Sequence, residues 1–240
     1  VETWLLANDA LEAWPRLNWY SGGVGRTQGR WLTRPLVPDI TKLSEEERAA
    51  WQRCLFPLEW DIARVNISFE GGIRFFEDEE FQRVIEATDK TVVPMLTRAI
   101  AILDRAFTQT PLPVLEDQRD RFRGILLCFK TDRNLFAVQV ATNEYLLKPE
   151  SAAACRNRIQ KSIISEIENT TNWIHALTTS RTPFFRVAQE EETPFVYRTP
   201  VEDFRLKLEV MARHMNDEPG PFLRDLIEPK RRKLAFGATA

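Results

Sequence analysis

Apolar residues recur at the spacing of an α-helix over much of the chain. The clearest stripe falls at intervals of three and four residues, which is the period of one helix face, and consists of Val92, Leu96, Ala99, Ile100, Leu103 and Phe107. Pro94 is compatible with this helix because proline is accepted in a first turn. Shorter helices are predicted from about Trp4 to Trp14, with Leu11 on the same face, and over 78–87.

Two longer segments follow with the same period. Residues 115–147 contain no proline and a single glycine, and residues 151–178 carry a second continuous apolar stripe. Only Lys148, Pro149 and Glu150 separate them, and so short a connection is typical of helices packed side by side. The pattern therefore predicts a long antiparallel helical hairpin at the centre of the domain.

The remaining segments are shorter or ambiguous. Ser44 and Glu47 form a capping box that predicts a helix reaching about Leu55, and a further helix is expected over 58–68. Aromatic and β-branched runs on either side of a polar stretch predict a small β-hairpin near residues 184–198. Residues 204–215 alternate as a strand would but also repeat as a helix would, and the helical repeat extends further. The sequence thus predicts a mainly α, multi-helix fold, with residues 1–228 as one domain and 229–240 as a basic, disordered tail.

One long segment without periodicity, residues 15–38, is predicted as a loop. Four of the nine glycines lie between Gly22 and Gly29, but the segment matches no phosphate-binding motif. It concentrates large aromatic and guanidinium side chains, which stack on sugar rings and clasp carboxylates or hydroxyls: Trp19, Tyr20, Arg26, Arg30 and Trp31. These five are the predicted substrate-binding residues; the alternative is that they seat the loop on the core.

Composition narrows the function classes. The chain has 240 residues, 43% of them hydrophobic and 28% charged, and a net charge of −2, so it is expected to fold and not to bind nucleic acid. No apolar run is long enough to span a membrane. Three dispersed cysteines and two histidines predict no disulfide framework, metal or cofactor, which favours a soluble, cytoplasmic protein over a disulfide-stabilised extracellular one. The start at Val1, without a leader, indicates a processed chain or a piece of a longer one.

Candidates for catalysis are sparse. Glu166 lies close to the buried stripe of its helix and could act as an acid or base, although a salt-bridged carboxylate is the commoner situation. Glu168 points to another side of the same helix, so the two cannot form a carboxylate pair. His175 and His214 are expected on helix surfaces or at caps, with Asp217 and Glu218 close enough to His214 for a polar cluster.

Several segments together resemble the helical C-terminal region of large bacterial proteins similar to glycoside hydrolases. They span Gly29–Pro38, Leu43–Glu47, Glu166–Thr170, Thr193–Tyr197 and Arg213–Pro219. The resemblance covers about half of the chain and implies a helical module that supports or closes a carbohydrate site. It carries over no catalytic residue.

Two functional hypotheses follow. In the first, the chain is a helical module of a carbohydrate-active, glycoside-hydrolase-like protein, and the loop over 15–38 touches glycan. In the second, it is a structural or protein-interaction domain without catalytic activity, and the loop docks on another domain or subunit. A third, an autonomous enzyme that uses Glu166 and His175, ranks below both because no paired acid and base are visible.

Overall fold

The computed structural model describes residues 1–13, 32–39, 42–47, 78–187, 196–197 and 199–219. This part of the chain is mainly helical, which confirms the predicted fold class. The expected helical stretches over 48–55 and 58–68, the five predicted site residues between Trp19 and Trp31, and the tail over 229–240 lie outside the described residues.

Six α-helices make up most of the described structure. They are α1 (Glu2–Ala13), α2 (Asp78–Ala87), α3 (Val93–Gln109), α4 (Pro113–Leu147), α5 (Ala152–Thr179) and α6 (Pro200–His214). A 3₁₀ turn, Pro149–Ser151, joins α4 to α5. Ser44 also caps a helical start at residues 45–47, through the reciprocal Ser44–Glu47 hydrogen bonds that the capping box predicts.

The two long helices α4 and α5 run in opposite directions along each other. Near the connecting turn, Glu144 of α4 bonds Arg158 of α5. Asn134 meets Glu166 further along, and at the far end Asp120 accepts a hydrogen bond from Ser180, directly after α5. Because α4 has 35 residues, it is about 52 Å long, and α2, α3 and α5 all pack along it.

A π-helix, Thr88–Val92, joins α2 to α3 without a break. The backbone N–H of Val93 bonds the carbonyl of Thr88, five residues earlier. Pro94 follows at the start of α3, has no N–H to offer, and its ring would clash with the carbonyl four residues before it. One wider turn accommodates this proline within a continuous helical segment from 78 to 109.

Of the three apolar clusters in the core of the described structure, two meet along α4. The first joins α2, α4, α5 and α6 around Phe136, Ile163 and Met211. The second joins α1, α3 and the first half of α4 around Leu96, Phe122 and Phe129. The central helix therefore carries the contacts of both clusters on neighbouring turns.

The first helix packs on the rest of the domain through small residues. It buries the small residues Thr3, Ala7 and Ala10, whereas Trp4 is 58% and Leu11 49% exposed. Small side chains allow α1 to lie close to α3, and Arg98 of α3 bonds Glu2 at 2.6 Å. Trp4 still touches Phe122 edge-on, with ring centroids 5.2 Å apart.

The end of the predicted loop is part of the interior. Leu32, Arg34 and Leu36 are all buried, although residues 34–37 form no regular secondary structure. Leu32 packs in an aromatic cluster with Trp173 and Phe204, and Leu36 joins the first core cluster. Residues 32–38 thus contain no helix or strand, as predicted for this segment, and several of them are nevertheless buried in the core.

The strands near residues 184–198 are shorter than predicted, and they pair in a different direction. β1 (Arg186–Val187) and β2 (Val196–Tyr197) pair in parallel, with Arg186 opposite Val196. A β-hairpin requires antiparallel strands, so the predicted hairpin is wrong. Before β1, Phe184 lies against Gly124 of α4, where an added Cβ would come within 2.9 Å of the ring. The single glycine of α4 thus allows this segment to approach the helix.

Candidate functional site

The main candidate site is a groove of about 560 Å³ between α4, α5 and the segment from α2 to the start of α3. This volume lies within the usual range of ligand pockets. Its wall is rich in neutral hydrogen-bonding groups, namely the amides of Gln82, Asn134, Asn169 and Asn172 and the hydroxyls of Thr88, Ser162 and Ser165. Ile85, Val93, Ala137 and Val140 supply the apolar part.

Charged side chains also line the groove, and most of them are paired. Arg133 forms a fork with Asp89 of the π-helix at 2.9–3.2 Å, and Arg158 is bound to Glu144. Lys130, Lys161 and Glu168 also lie in the wall, and in the described part of the chain none of the three forms an ion pair. The Asp89–Arg133 fork fixes the π-helix to α4 and so sets the width of the groove there.

Behind the groove wall, Glu166 of α5 and Lys207 of α6 form an ion pair with no solvent exposure. Their side chains meet at 2.5 Å, and Lys207 Nζ also donates to the carbonyl of Leu32 at 2.6 Å. Glu166 further accepts hydrogen bonds from Thr131 at 2.8 Å and Asn134 at 2.9 Å. A buried charge is tolerated only with such partners, so Glu166 is a structural carboxylate that joins α4, α5 and α6.

This buried network orients two amides of the groove wall. Asn134 donates its Nδ2 to Glu166, while Nδ2 of Asn169 donates to the carbonyl of Leu127 at 3.0 Å and to Thr131 Oγ1 at 2.9 Å. Oδ1 of Asn169 has no hydrogen-bond partner among the described residues. The network behind the wall thus holds both amides in place beside the groove.

A second polar cluster lies where the end of α6 meets the helical start at Ser44. His214 Nδ1 is 2.8 Å from Asp217 Oδ2, and its Nε2 is 3.2 Å from Glu47 Oε2. Arg213 bonds the other oxygen of Glu47. Of the two acidic residues expected near His214, Asp217 contacts it, whereas Glu218 bonds Tyr145 and Arg156 instead.

The surroundings of Glu47 favour its ionised form. Burial by itself would raise the pKa of this carboxyl. The hydrogen bonds from the Ser44 N–H and His214, together with the charges of His214 and Arg213, outweigh burial and lower the pKa below its ordinary 4.5. Glu47 is therefore a charged anchor that holds the segment at Ser44 to the end of α6.

The structure does not support an acid–base pair of Glu166 and His175. Glu166 is fully buried and bonded, whereas His175 is exposed and lies nine residues, or about 14 Å, further along α5. Glu168 is exposed, so it does not pair with Glu166 either. Burial raises the pKa of the Cys128 thiol, with the charges of Asp132 and Glu166 adding to the effect, so this cysteine is not a reactive thiolate.

Other classes of site are not found in the described part of the chain. Cys128 and Cys155 are free thiols. Within the described ranges, no group of three or more histidine, cysteine or acidic side chains is arranged to hold a metal ion. None of the described helices is both long enough and apolar enough to cross a membrane.

Lys207 and the groove residues of α5 were missed by sequence reasoning, although a signal was present. Lys207 interrupts the apolar stripe of α6 between Phe204 and Met211, and Glu166 interrupts that of α5. Two opposite charges on two buried stripes indicate an ion pair. The polar wall has the same helical period, at Arg158, Lys161, Ser162, Ser165, Glu168, Asn169 and Asn172.

No protein-family model, curated protein or solved structure matches this chain. The resemblance to a helical region of glycoside-hydrolase-like proteins therefore stays a prediction. The structure does bring some of the segments behind it together, since Glu47 contacts Arg213 and His214.

Proposed function

We propose that the chain is a helical module of a carbohydrate-active, glycoside-hydrolase-like protein and contributes to a glycan-binding site. The groove between α4 and α5 carries this proposal. The exposed amides of Gln82 and Asn172 and the half-buried hydroxyl of Ser165 can donate and accept hydrogen bonds along it, as a polyhydroxylated ligand requires. Along α5 it extends from Arg158 to Asn172, about 21 Å, which suits an extended oligosaccharide better than a single small molecule.

The five predicted loop residues belong to the same proposal. Lys207 fixes the backbone at Leu32, directly after Trp31, and also belongs to the network behind the groove wall. We propose that Trp31 and Arg30 add stacking and a guanidinium fork to the same glycan site. If the whole protein is an enzyme, the resemblance implies a glycoside hydrolase.

A glycan array and calorimetric titration test this function. The wild-type chain is expected to bind oligosaccharides, and Asn172→Ala, at an exposed groove position, should weaken binding by about tenfold, the loss of roughly one hydrogen bond. Trp31→Ala should weaken binding with an unchanged unfolding midpoint. Arg105→Gln, at an exposed position of α3 outside the groove, is the matched control. No binding to any glycan would refute the proposal.

The alternative, a protein-interaction domain, is supported by one observation. Trp4, Leu5 and Leu11 are each about half exposed on α1, and exposed apolar patches often mark docking surfaces. In that case Trp4→Ser should change the oligomer size in analytical ultracentrifugation and leave glycan binding unaffected. A monomer whose mass is independent of concentration in both wild type and variant would argue against self-association.

A further inference from the structure

We infer that the glycan taken by the groove carries a carboxylate group, as uronic acids do, and that Lys161 binds it. The inference rests on the proposed function and names the substrate class of the same groove. It follows from the charges of the wall, from their pairing, and from their position along the two helices.

The charges of the wall do not cancel. Four cationic side chains line the groove, Lys130, Arg133, Arg158 and Lys161, against the two carboxylates of Asp89 and Glu168. Asp89 neutralises Arg133, and Glu144, outside the groove, neutralises Arg158. Two lysines and one glutamate stay without an ion-pair partner in the described part of the chain, which leaves one positive charge in excess.

The antiparallel register locates that excess charge. Asn134 lies opposite Glu166 and Glu144 opposite Arg158, so residue numbers of facing positions add up to about 300. Glu168 is thus level with residue 132 and near Lys130. Lys161 is level with residue 139, where the uncharged side chains of Ala137 and Val140 form the wall. The Lys161 end is positive and the Lys130 end is balanced, and the two lysines are about 13 Å apart along the groove.

The amides of the wall specify the rest of the ligand. Nδ2 of Asn169 is fully used by Leu127 and Thr131, and its buried Oδ1 has no acceptor role in the described structure. Asn134 is held in the same way by Glu166. Both side chains are thus built into the wall, and the neutral groups that reach solvent are the amides of Gln82 and Asn172 and the hydroxyl of Ser165, which suit the hydroxyls of a sugar. A ligand with hydroxyls along its length and a carboxylate at one end satisfies both parts of the groove.

The test uses two ligands that differ at a single carboxyl group, an otherwise neutral oligosaccharide that ends in one uronic acid and the methyl ester of that uronic acid. Calorimetry is expected to show tighter binding of the carboxylated ligand by about tenfold, the effect of one charge-assisted contact. This preference should shrink as the salt concentration rises. Lys161→Gln should remove the preference between the two ligands, and Asn172→Ala should weaken the binding of both alike. Arg105→Gln should change neither.

The outcomes separate the two proposals. Equal affinity for both ligands, or an equal effect of Lys161→Gln on both, would overturn the carboxylate assignment and leave a neutral glycan site standing. If neither uronate ligand binds while neutral oligosaccharides do, the carboxylate assignment fails in the same way. If no oligosaccharide of either kind binds, the glycan-binding function itself fails.

Discussion

At the scale of single residues, the buried pair Glu166–Lys207 carries more of the architecture than any other polar contact in the described structure. Its two side chains come from α5 and α6, and its further hydrogen bonds reach α4 and the backbone at Leu32. Four segments that are distant in sequence are joined at one point. Because each charge depends on the other for compensation, the pair acts as a single unit.

Removing one member of this pair should be costly. Lys207→Met leaves the carboxylate of Glu166 buried without its cation, and we expect a loss of about 3–5 kcal/mol in the free energy of unfolding. The double variant Lys207→Met/Glu166→Gln should be more stable than Lys207→Met alone, because it removes the uncompensated charge. Urea denaturation measures both values, and Arg205→Met, at an exposed site of α6, is the control. A loss below about 1 kcal/mol for Lys207→Met, as at ordinary surface sites, would contradict this role.

At the scale of elements, the polar anchor between the helical start at Ser44 and the end of α6 joins two segments more than 160 residues apart. Glu47 is at its centre, with His214, Arg213 and the Ser44 N–H as donors. It also brings together two of the segments on which the family resemblance was based.

This anchor should make the stability of the domain depend on acid pH. The folded-state pKa of Glu47 is lowered, so its contribution is present above the ordinary value of 4.5 and is lost as the pH falls through the lowered folded value. Glu47→Gln should cost roughly 1–3 kcal/mol at neutral pH and reduce the loss of stability between about pH 5 and pH 3.

Asp120 and Glu144 also have lowered pKa values. The stability of the Glu47→Gln variant should therefore still fall in acid, but less steeply than that of the wild type. The matched control is Glu46→Gln, the exposed neighbour, whose unfolding curves should follow wild type at every pH. Identical acid slopes for Glu47→Gln and wild type in urea denaturation would count against the anchor.

An element could be predicted from the sequence when the interactions that form it lie within a few residues of each other. The helical class and the capping box at Ser44 follow from period and composition within a few residues, and both are observed. The π-helix and the parallel pairing of β1 with β2 depend on tertiary packing, which no local pattern encodes. In α1, the large apolar residues Trp4 and Leu11 stay about half exposed, because close packing on α3 favours the small residues Ala7 and Ala10 on the buried face.

The candidate site was less accessible from sequence than the fold. Its polar side chains lie on helices that also contribute to the core. In the sequence alone, such side chains look the same as those of an ordinary solvent-exposed helix face. Glu166 was recognisable on its buried stripe, but its partner Lys207 is 41 residues away and on another helix. The aromatic and arginine residues between Trp19 and Trp31 stay a prediction.

At the scale of the whole molecule, the two apolar clusters should unfold together. Phe122 and Phe129 of α4 belong to one cluster, and Leu135 and Phe136 to the other, so a single helix passes from one to the next within two turns. Opening either cluster would leave its half of α4 unsupported. A domain built in this way is expected to show one cooperative transition.

Truncations in the two clusters test this cooperativity. Leu96→Ala and Ile163→Ala each remove a fully buried side chain, one from each cluster, and should each cost about 2–5 kcal/mol. Because the sites share no cluster, the double variant should show the sum of the two losses to within about 0.5 kcal/mol. Ile164→Ala removes the same side chain one position away, where it is 40% exposed, and should cost less than about 1 kcal/mol. Within each variant, the unfolding midpoint measured by far-UV circular dichroism should equal the midpoint measured by tryptophan fluorescence. If Leu96→Ala shifted one phase of a two-step curve and Ile163→Ala the other, the clusters would be independent units and the chain would not be a single domain.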